Sequence, residues 1–164
     1  MAFYTGRTGA LYMSSDTSGE VNPDAADKAL KLRDWSLDTT LELLETTTVD
    51  TAVKSYTPGA SSATGSATLM YYRREGSLST EPGVQFNKFL AKIMKSNATG
   101  VTESDRVTLI LRVGTTTGTG NDIKDDIAFN AYITSAGLSV STGELSSVSI
   151  QFTVDGPFRE LVDA

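Results

Sequence analysis

The fold is decided by residues 130–156, NAYITSAGLSVSTGELSSVSIQFTVDG, which read as two alternating β-strands joined by a turn. Apolar side chains recur at every second position on both sides of that turn: Ile127, Phe129, Ala131, Ile133, Val148, Ile150, Phe152 and Val154. A period of two predicts a sheet with one dry face and one face in water. Thr142 and Gly143 predict the reversal, because glycine tolerates the positive φ that a tight turn needs. The stretch therefore predicts a long hairpin at the centre of a mainly β fold.

Length and composition exclude several function classes. A chain of 164 residues suits one domain, so residues 1–164 are expected to share a single core. The net charge of -6 argues against the basic footprint of a nucleic-acid-binding protein. The chain has no cysteine and no histidine, which removes disulfides, thiolate chemistry and every histidine-dependent triad. We expect a protein that is not an enzyme and that needs no metal and no cofactor.

The first half of the chain reads as an arm, a long strand and a loop. Residues 1–27 are broken by glycines and Pro23, which predicts an extended N-terminal arm. Lys28–Glu45 predicts a strand with a β-bulge near Arg33 and Asp34, because the parity of the apolar residues switches there. Residues 49–65 are polar and contain Pro58-Gly59, so they predict a projecting loop.

The second half predicts one helix among further strands. Ser66–Arg74 and Arg106–Val113 read as strands, and a helix over about 82–96 follows the capping residue Thr80 and Pro82. An apolar stripe at helical spacing should lie against the sheet: Phe86, Phe89, Leu90, Ile93 and Met94. No run of 18 apolar residues and no signal peptide is found, which predicts a chain that stays in the cytoplasm of the cell that makes it. The whole pattern predicts a two-sheet β-sandwich or barrel with one α-helix.

Four features have a chemical and a simpler structural interpretation. Gly114–Gly120 lacks the lysine of a phosphate-binding loop. Asp126 with Asp122 or Asp125 could form a carboxylate pair, although acids at a strand start usually face solvent. Residues 16–20 have the alternating oxygens of a calcium loop without its closing glutamate. Trp35 and the pair at residues 71–72 could stack on sugar, although a core position is favoured.

Several stretches in a fixed order resemble one protein family. They are residues 35–48 (WSLDTTLELLETTT), 56–59 (YTPG), 65–72 (GSATLMYY), 129–135 (FNAYITS) and 143–156 (GELSSVSIQFTVDG). Over residues 30–157 this order is similar to the tail tube proteins of tailed bacteriophages, whose fold is shared with type VI secretion tubes.

The resemblance implies a structural protein of the virion. It implies hexameric rings that stack into a tail tube, through which the genome passes into the host without specific DNA binding. Its partners would be further copies of itself, the tape-measure, terminator and baseplate or tip proteins, and a sheath if the tail contracts. Assembly would take place in the host cytoplasm.

Strand parity and the resemblance together assign two surfaces. With Leu37, Leu41 and Leu43 packed under the helix, the lumen would be lined by Ser36, Asp38, Thr40, Glu42, Ser149 and Gln151. The projecting loop would stack the rings through Val49, Tyr56, Pro58 and Gly59. The alternative function is a carbohydrate-binding β-sandwich module, which would expose aromatic side chains on one sheet face.

Overall fold

The computed structural model describes residues 9–23, 26–28, 32–50, 52–70, 86–95, 99–116 and 123–161. Its strands are β1 (Ala10–Ser14), β2 (Asp27–Lys28), β3 (Leu32–Glu45), β4 (Tyr56–Met70), β5 (Val107–Thr116), β6 (Ile123–Ser139) and β7 (Ser147–Glu160). A short helix, α1 (Phe86–Leu90), and a 3-10 helix (Glu103–Asp105) lie between β4 and β5 in the chain. The fold is mainly β with one short α-helix in the described ranges, which confirms the predicted class. No helix in those ranges is long and apolar enough to cross a membrane.

All seven described strands belong to one antiparallel sheet. Their order is β2-β1-β5-β6-β7-β4-β3. The predicted division into two sheets is wrong, because β7 pairs with β6 along one edge and with β4 along the other. The sheet is open, and it curves so that residues of β1 and β3 reach the same core.

The central hairpin is confirmed in detail. In β7, Val148, Ile150 and Phe152 are buried, whereas Ser149, Gln151 and Thr153 are exposed. The ring of Phe152 stacks on Phe129 of β6 with 5.6 Å between the ring centroids. The reversal contains Gly143 with φ of 85°, the positive value that the turn requires.

The N-terminal segment is more closely packed than an arm. β1 pairs with β5 over its whole length, and Leu11 and Met13 are buried in the main core. On the other face of β5, Ala26 packs on Ile110 and Ala128. The glycines of residues 1–27 predict an arm, whereas the structure has a strand of five residues there. Residues 1–8 of the predicted arm lie outside the described part of the chain.

Helix α1 covers the core through one aromatic residue. Phe89 is buried in the main cluster and Ile93 packs beside it, whereas Met94 is 68% exposed. Lys95 then contacts the buried Asp105 at 2.5 Å, and this contact lowers the pKa of the Asp105 carboxyl. The described helix is shorter than the predicted 82–96, of which residues 82–85 and 96 are not among the described ones.

Residues 56–65 are a strand and do not form the predicted loop. Tyr56–Met70 pairs with β3 as far as its first residue, so only residues 46–55 form the connection. The predicted bulge near Arg33 and Asp34 is confirmed by the register shift between Leu32 and Asp34, which leaves Leu32 and Trp35 both packed on the core. A second shift, between Leu41 and Leu43, was not predicted.

Gly65 of β4 leaves the space that the ring of Phe152 needs in the core. A Cβ added there would lie 2.5 Å from Cζ of Phe152 and closer still to the carbonyl oxygen of Ser36. We expect Gly65→Ala to lower the free energy of unfolding by about 1–3 kcal/mol, because the crowded ring must move. Urea unfolding measures the change.

Gly137→Ala is the matched control in β6. The nearest atom to a Cβ at Gly137 is the carbonyl oxygen of Ser149 at 3.9 Å, so the free energy of unfolding should change by less than about 0.5 kcal/mol. Equal destabilisation by the two substitutions would contradict the role assigned to Phe152.

Candidate assembly surface

The sheet has a polar face, built by rows of paired residues. Side chains at paired positions of neighbouring strands point to the same side. One row runs through Ser36, Ser66, Gln151 and Ser135, and the next through Asp38, Thr64, Thr153 and Tyr132. Hydroxyl groups link β3 to β4 across this face, because Ser36 Oγ lies 3.0 Å from Ser66 Oγ and Thr40 Oγ1 lies 2.8 Å from Ser62 Oγ.

The residues predicted to line a lumen lie on this face. Ser36, Asp38 and Gln151 border one open groove of about 340 Å³. Thr40 continues the face along β3, and Ser149 lies one row further, opposite Thr68. All six predicted lumen residues are exposed: Ser36, Asp38, Thr40, Glu42, Ser149 and Gln151. The use of this face as a channel wall stays a proposal.

The polar face is acidic. Residues 34–42, 56–70, 132–139 and 147–153, which form its four strands, contain no lysine and no arginine. Asp34, Asp38 and Glu42 are its acids, and all three are exposed. A surface of hydroxyl, amide and carboxylate groups attracts no phosphate backbone, because no cation is present to neutralise it.

Besides the two-residue β2 at one end of the sheet, longer strand edges lack partners among the described strands. β3 is the last strand of the sheet, so its outer backbone groups face away from β4. β4 and β7 separate after the pair Thr64 and Thr153, and the fork between them is a groove of about 340 Å³ bordered by Ala63, Val154 and Phe158. Exposed edges of this length favour pairing with a second chain.

The end of the β3-β4 hairpin is apolar and exposed. Leu41 and Leu43 were predicted to pack under the helix, but they are 56% and 55% exposed. The prediction of parity is right and that of burial is wrong, because the ribbon of β3 and β4 extends beyond the end of the pairing between β4 and β7. Leu37, which lies where β7 is still paired, packs on the core as predicted.

The predicted stacking residues lie in this extension. Val49 is fully exposed in the connection, and Tyr56, at the start of β4, is 50% exposed. Pro58 pairs with Leu43, and Gly59 lies against the side chain of Glu42. Sequence reasoning missed Leu138, Val140 and Leu145 at the opposite hairpin. These are 43%, 71% and 79% exposed, and the only signal for them was apolar residues beside the turn at Gly143.

The candidate chemical sites have structural roles. Arg112 donates from Nε to Asp126 Oδ1 at 2.8 Å and from Nη2 to Asp126 Oδ2 at 2.9 Å. Both oxygens of the Asp126 carboxylate therefore bind a buried guanidinium. Asp16 accepts from the backbone N–H groups of Gly19 and Ser18, which lowers the pKa of its carboxyl and makes residues 16–19 a turn. The described residues contain no group of three or more acids that could hold a metal ion.

The aromatic candidates do not form a sugar platform in the described residues. Trp35 packs against the main core from β3. The other candidates, residues 71 and 72, lie outside the described part of the chain, as do residues 117–120 of the glycine-rich segment and Asp122. The alternative of a carbohydrate-binding module thus gains no support from Trp35.

We expect Asp126→Asn to lower the free energy of unfolding by about 3 kcal/mol, because it removes the charge of the buried carboxylate that pairs with the Arg112 guanidinium. Chemical denaturation measures the change. Asp125→Asn is the adjacent control: Asp125 is only half-buried, and its substitution should cost less than about 0.5 kcal/mol. If the two variants unfold alike, the pair of Arg112 and Asp126 does not stabilise the sheet as described.

Comparisons with known proteins identify the fold. No protein-family model and no curated protein matches the chain. The SPP1 tail tube, determined by solid-state NMR and cryo-EM, aligns with 97% of this chain and 80% of its own chain at a TM-score of 0.62 and 14% identity. A chain of the native gene transfer agent virion aligns over 99% of this chain and all of its own at a TM-score of 0.63 and 10% identity.

A third solved structure is the tail of an empty gene transfer agent particle, computed by helical refinement with C6 symmetry. It aligns over 99% of this chain and 100% of its own at a TM-score of 0.65 and 11% identity. The resemblance seen in the sequence is thereby confirmed at the level of the fold. The chain has the fold of tail tube proteins over nearly its whole length.

Proposed function

We propose that this protein is the structural subunit of a virion tail tube, in which copies of the chain close into rings and the rings stack. The observation that carries the proposal is the match of the fold to assembled tails over 97–99% of the chain. The C6 symmetry of one of those tails supports a ring of six subunits. The subunit has a structural role and is not an enzyme.

Ring closure gives the unpaired edges a partner. The outer edge of β3 and the fork between β4 and β7 carry backbone groups that a neighbouring copy can pair with. Pairing across subunits continues the sheet around a ring, and a closed sheet has no free edge. The open sheet is thus the form expected of a subunit whose sheet closes only in the assembly.

The polar face then lines the lumen and conducts the genome. Asp38 and Glu42 repeat in every subunit of the ring, and their charge repels a DNA backbone within the screening distance of roughly 8 Å. Hydroxyl and amide groups of Ser36, Gln151 and their neighbours keep the wall hydrated and do not bind phosphate. DNA therefore passes without specific binding.

The proposed role places the protein in the virion. Its main partner is itself, and the ends of the tube meet the terminator and the baseplate or tip proteins. A tape-measure protein occupies the lumen before the genome does, and a sheath surrounds the tube if the tail contracts. Assembly takes place in the host cytoplasm.

Negative-stain microscopy of the purified protein over a range of concentrations tests the proposal. We expect rings at low concentration and tubes of uniform width at high concentration, and rotational averaging of end-on views should show six-fold symmetry. A protein that stays monomeric at every concentration contradicts the proposed function.

Replacing Asp38 and Glu42 together by lysine tests the assignment of the lumen. Both side chains are exposed, so the free energy of unfolding should change by less than about 0.5 kcal/mol and tubes should form. The cationic wall should retain short duplex DNA at low salt. The readout is DNA that sediments with the tubes and resists nuclease, since DNA bound outside is digested.

Glu20→Lys with Glu103→Lys is the control for the same change in charge. Both residues are exposed and lie away from the four strands of the polar face. These tubes should bind DNA only in a nuclease-sensitive form. Equal nuclease protection in the two variants would show that the polar face does not line the channel.

A further inference from the structure

Two exposed apolar patches lie at the tips of two different hairpins. The first, the hairpin patch, belongs to the β3-β4 hairpin and comprises Leu43, Leu44, Val49, Val53 and Tyr56, which are between 50% and 105% exposed. The second, the turn patch, belongs to the β6-β7 hairpin and comprises Leu138, Val140 and Leu145, which are between 43% and 79% exposed. Single exposed apolar residues are ordinary, but groups of this kind mark contact surfaces.

The strand register places the two patches at opposite ends of the sheet. Tyr56 begins β4 beside the hairpin patch, and Met70 ends it. Met70 pairs with Ser147, which pairs with Ser139, so the turn patch lies directly beyond this end. The fifteen residues of β4 span roughly 45 Å at about 3.3 Å per residue. A single subunit therefore cannot cover one patch with the other.

A tube built from one kind of subunit needs an interface between two different surfaces. Growth along an axis repeats a head-to-tail contact, in which one end of each copy meets the other end of the next. Lateral pairing of strand edges uses the sides of the sheet and leaves the strand ends directed toward the neighbouring rings. The two patches occupy those ends.

Both tips carry exposed charged residues beside their apolar patches. Lys54 is the basic residue of the hairpin tip. Its Nζ lies 3.9 Å from Oε2 of Glu45 in an exposed ion pair. Glu144 is the charged residue of the β6-β7 turn, where its carboxylate accepts a hydrogen bond from Ser141 Oγ at 3.1 Å. Glu45 and Asp50 lie on the same tip as Lys54, so charge does not select between a head-to-tail contact and a contact of two like tips. The placement of the two apolar patches at opposite ends of the sheet is what favours the head-to-tail contact.

We propose that the turn patch is the docking site for the hairpin patch of a second copy of this chain in the adjacent ring. The proposal rests on the proposed function, because it needs rings that stack. It assigns the receiving surface of the ring contact to Leu138, Val140 and Leu145. Burial of these side chains against Val49 and Val53 removes apolar surface from water at each subunit of the ring.

Disulfide cross-linking tests the contact cleanly, because the chain contains no cysteine. In the double variant Val53→Cys with Leu145→Cys, oxidation of assembled tubes should give a ladder of covalent multimers on a non-reducing gel. Each single variant should stay monomeric, and an equal mixture of the two should give dimers at most. This pattern is specific to a contact between two different surfaces.

The matched control keeps the first cysteine and moves the second from position 145 to another exposed position. Val53→Cys with Val101→Cys carries the same number of thiols, with Val101 45% exposed before the 3-10 helix. It should give no ladder. Tubes of the first double variant without a ladder would overturn the docking site and leave the proposed function intact. Dimers of Val53→Cys alone would also overturn it, because they indicate that two like tips meet.

Charge substitution gives a second test that needs no oxidation. Leu145→Lys or Val53→Glu alone should raise the concentration needed for tube growth at least about tenfold, equal to about 1.4 kcal/mol, and the double variant should recover most of the loss. Rings should persist in all three variants. Normal tube growth in both single variants would overturn the docking site, whereas absence of tubes in the unmodified protein would overturn the proposed function together with it.

Discussion

The double pairing of β7 is the constraint on which the rest of the structure depends. Its alternate residues fix one face, since Phe152 stacks on Phe129 and occupies the space that Gly65 leaves open on β4. Slipping β7 by one residue would turn Ser149 and Gln151 into the core and Phe152 into water. The dry face, the polar face and the continuity of the two halves of the sheet all follow from this register.

The same constraint leaves one end of the sheet uncovered. β7 holds β4 only from Thr64 to Met70, and the rest of β4 continues with β3 as a two-stranded ribbon. The ribbon exposes Leu41 and Leu43 on one side and strand edges along its length. A ribbon with an apolar tip is marginal in water unless another surface covers it. In the proposed tube, a neighbouring copy of the chain supplies such a surface.

The predictions succeeded where local alternation decides the structure. They failed where the outcome depends on how far a strand and its pairing extend. The alternation of β7, the glycine turn and the bulge near Arg33 were readable because each depends on neighbours in sequence. Residues 56–65 were misread as a loop, because a strand paired on one side only and exposed on both faces shows no alternation. The burial of Leu41 was misjudged for the same reason, since parity fixes a face and cannot say where the covering strand ends.

The central claim is that the face carrying Ser36, Asp38 and Gln151 becomes the inner wall of a tube. Thiol accessibility in assembled tubes tests it directly, with Gln151→Cys as the reporter and Val101→Cys, exposed in the segment before the 3-10 helix, as the reference. In tubes, Gln151→Cys should react with a small maleimide and resist one coupled to a large polymer, while Val101→Cys reacts with both. Equal reaction of Gln151→Cys with the two reagents would contradict the account, because it would place the polar face on the outside.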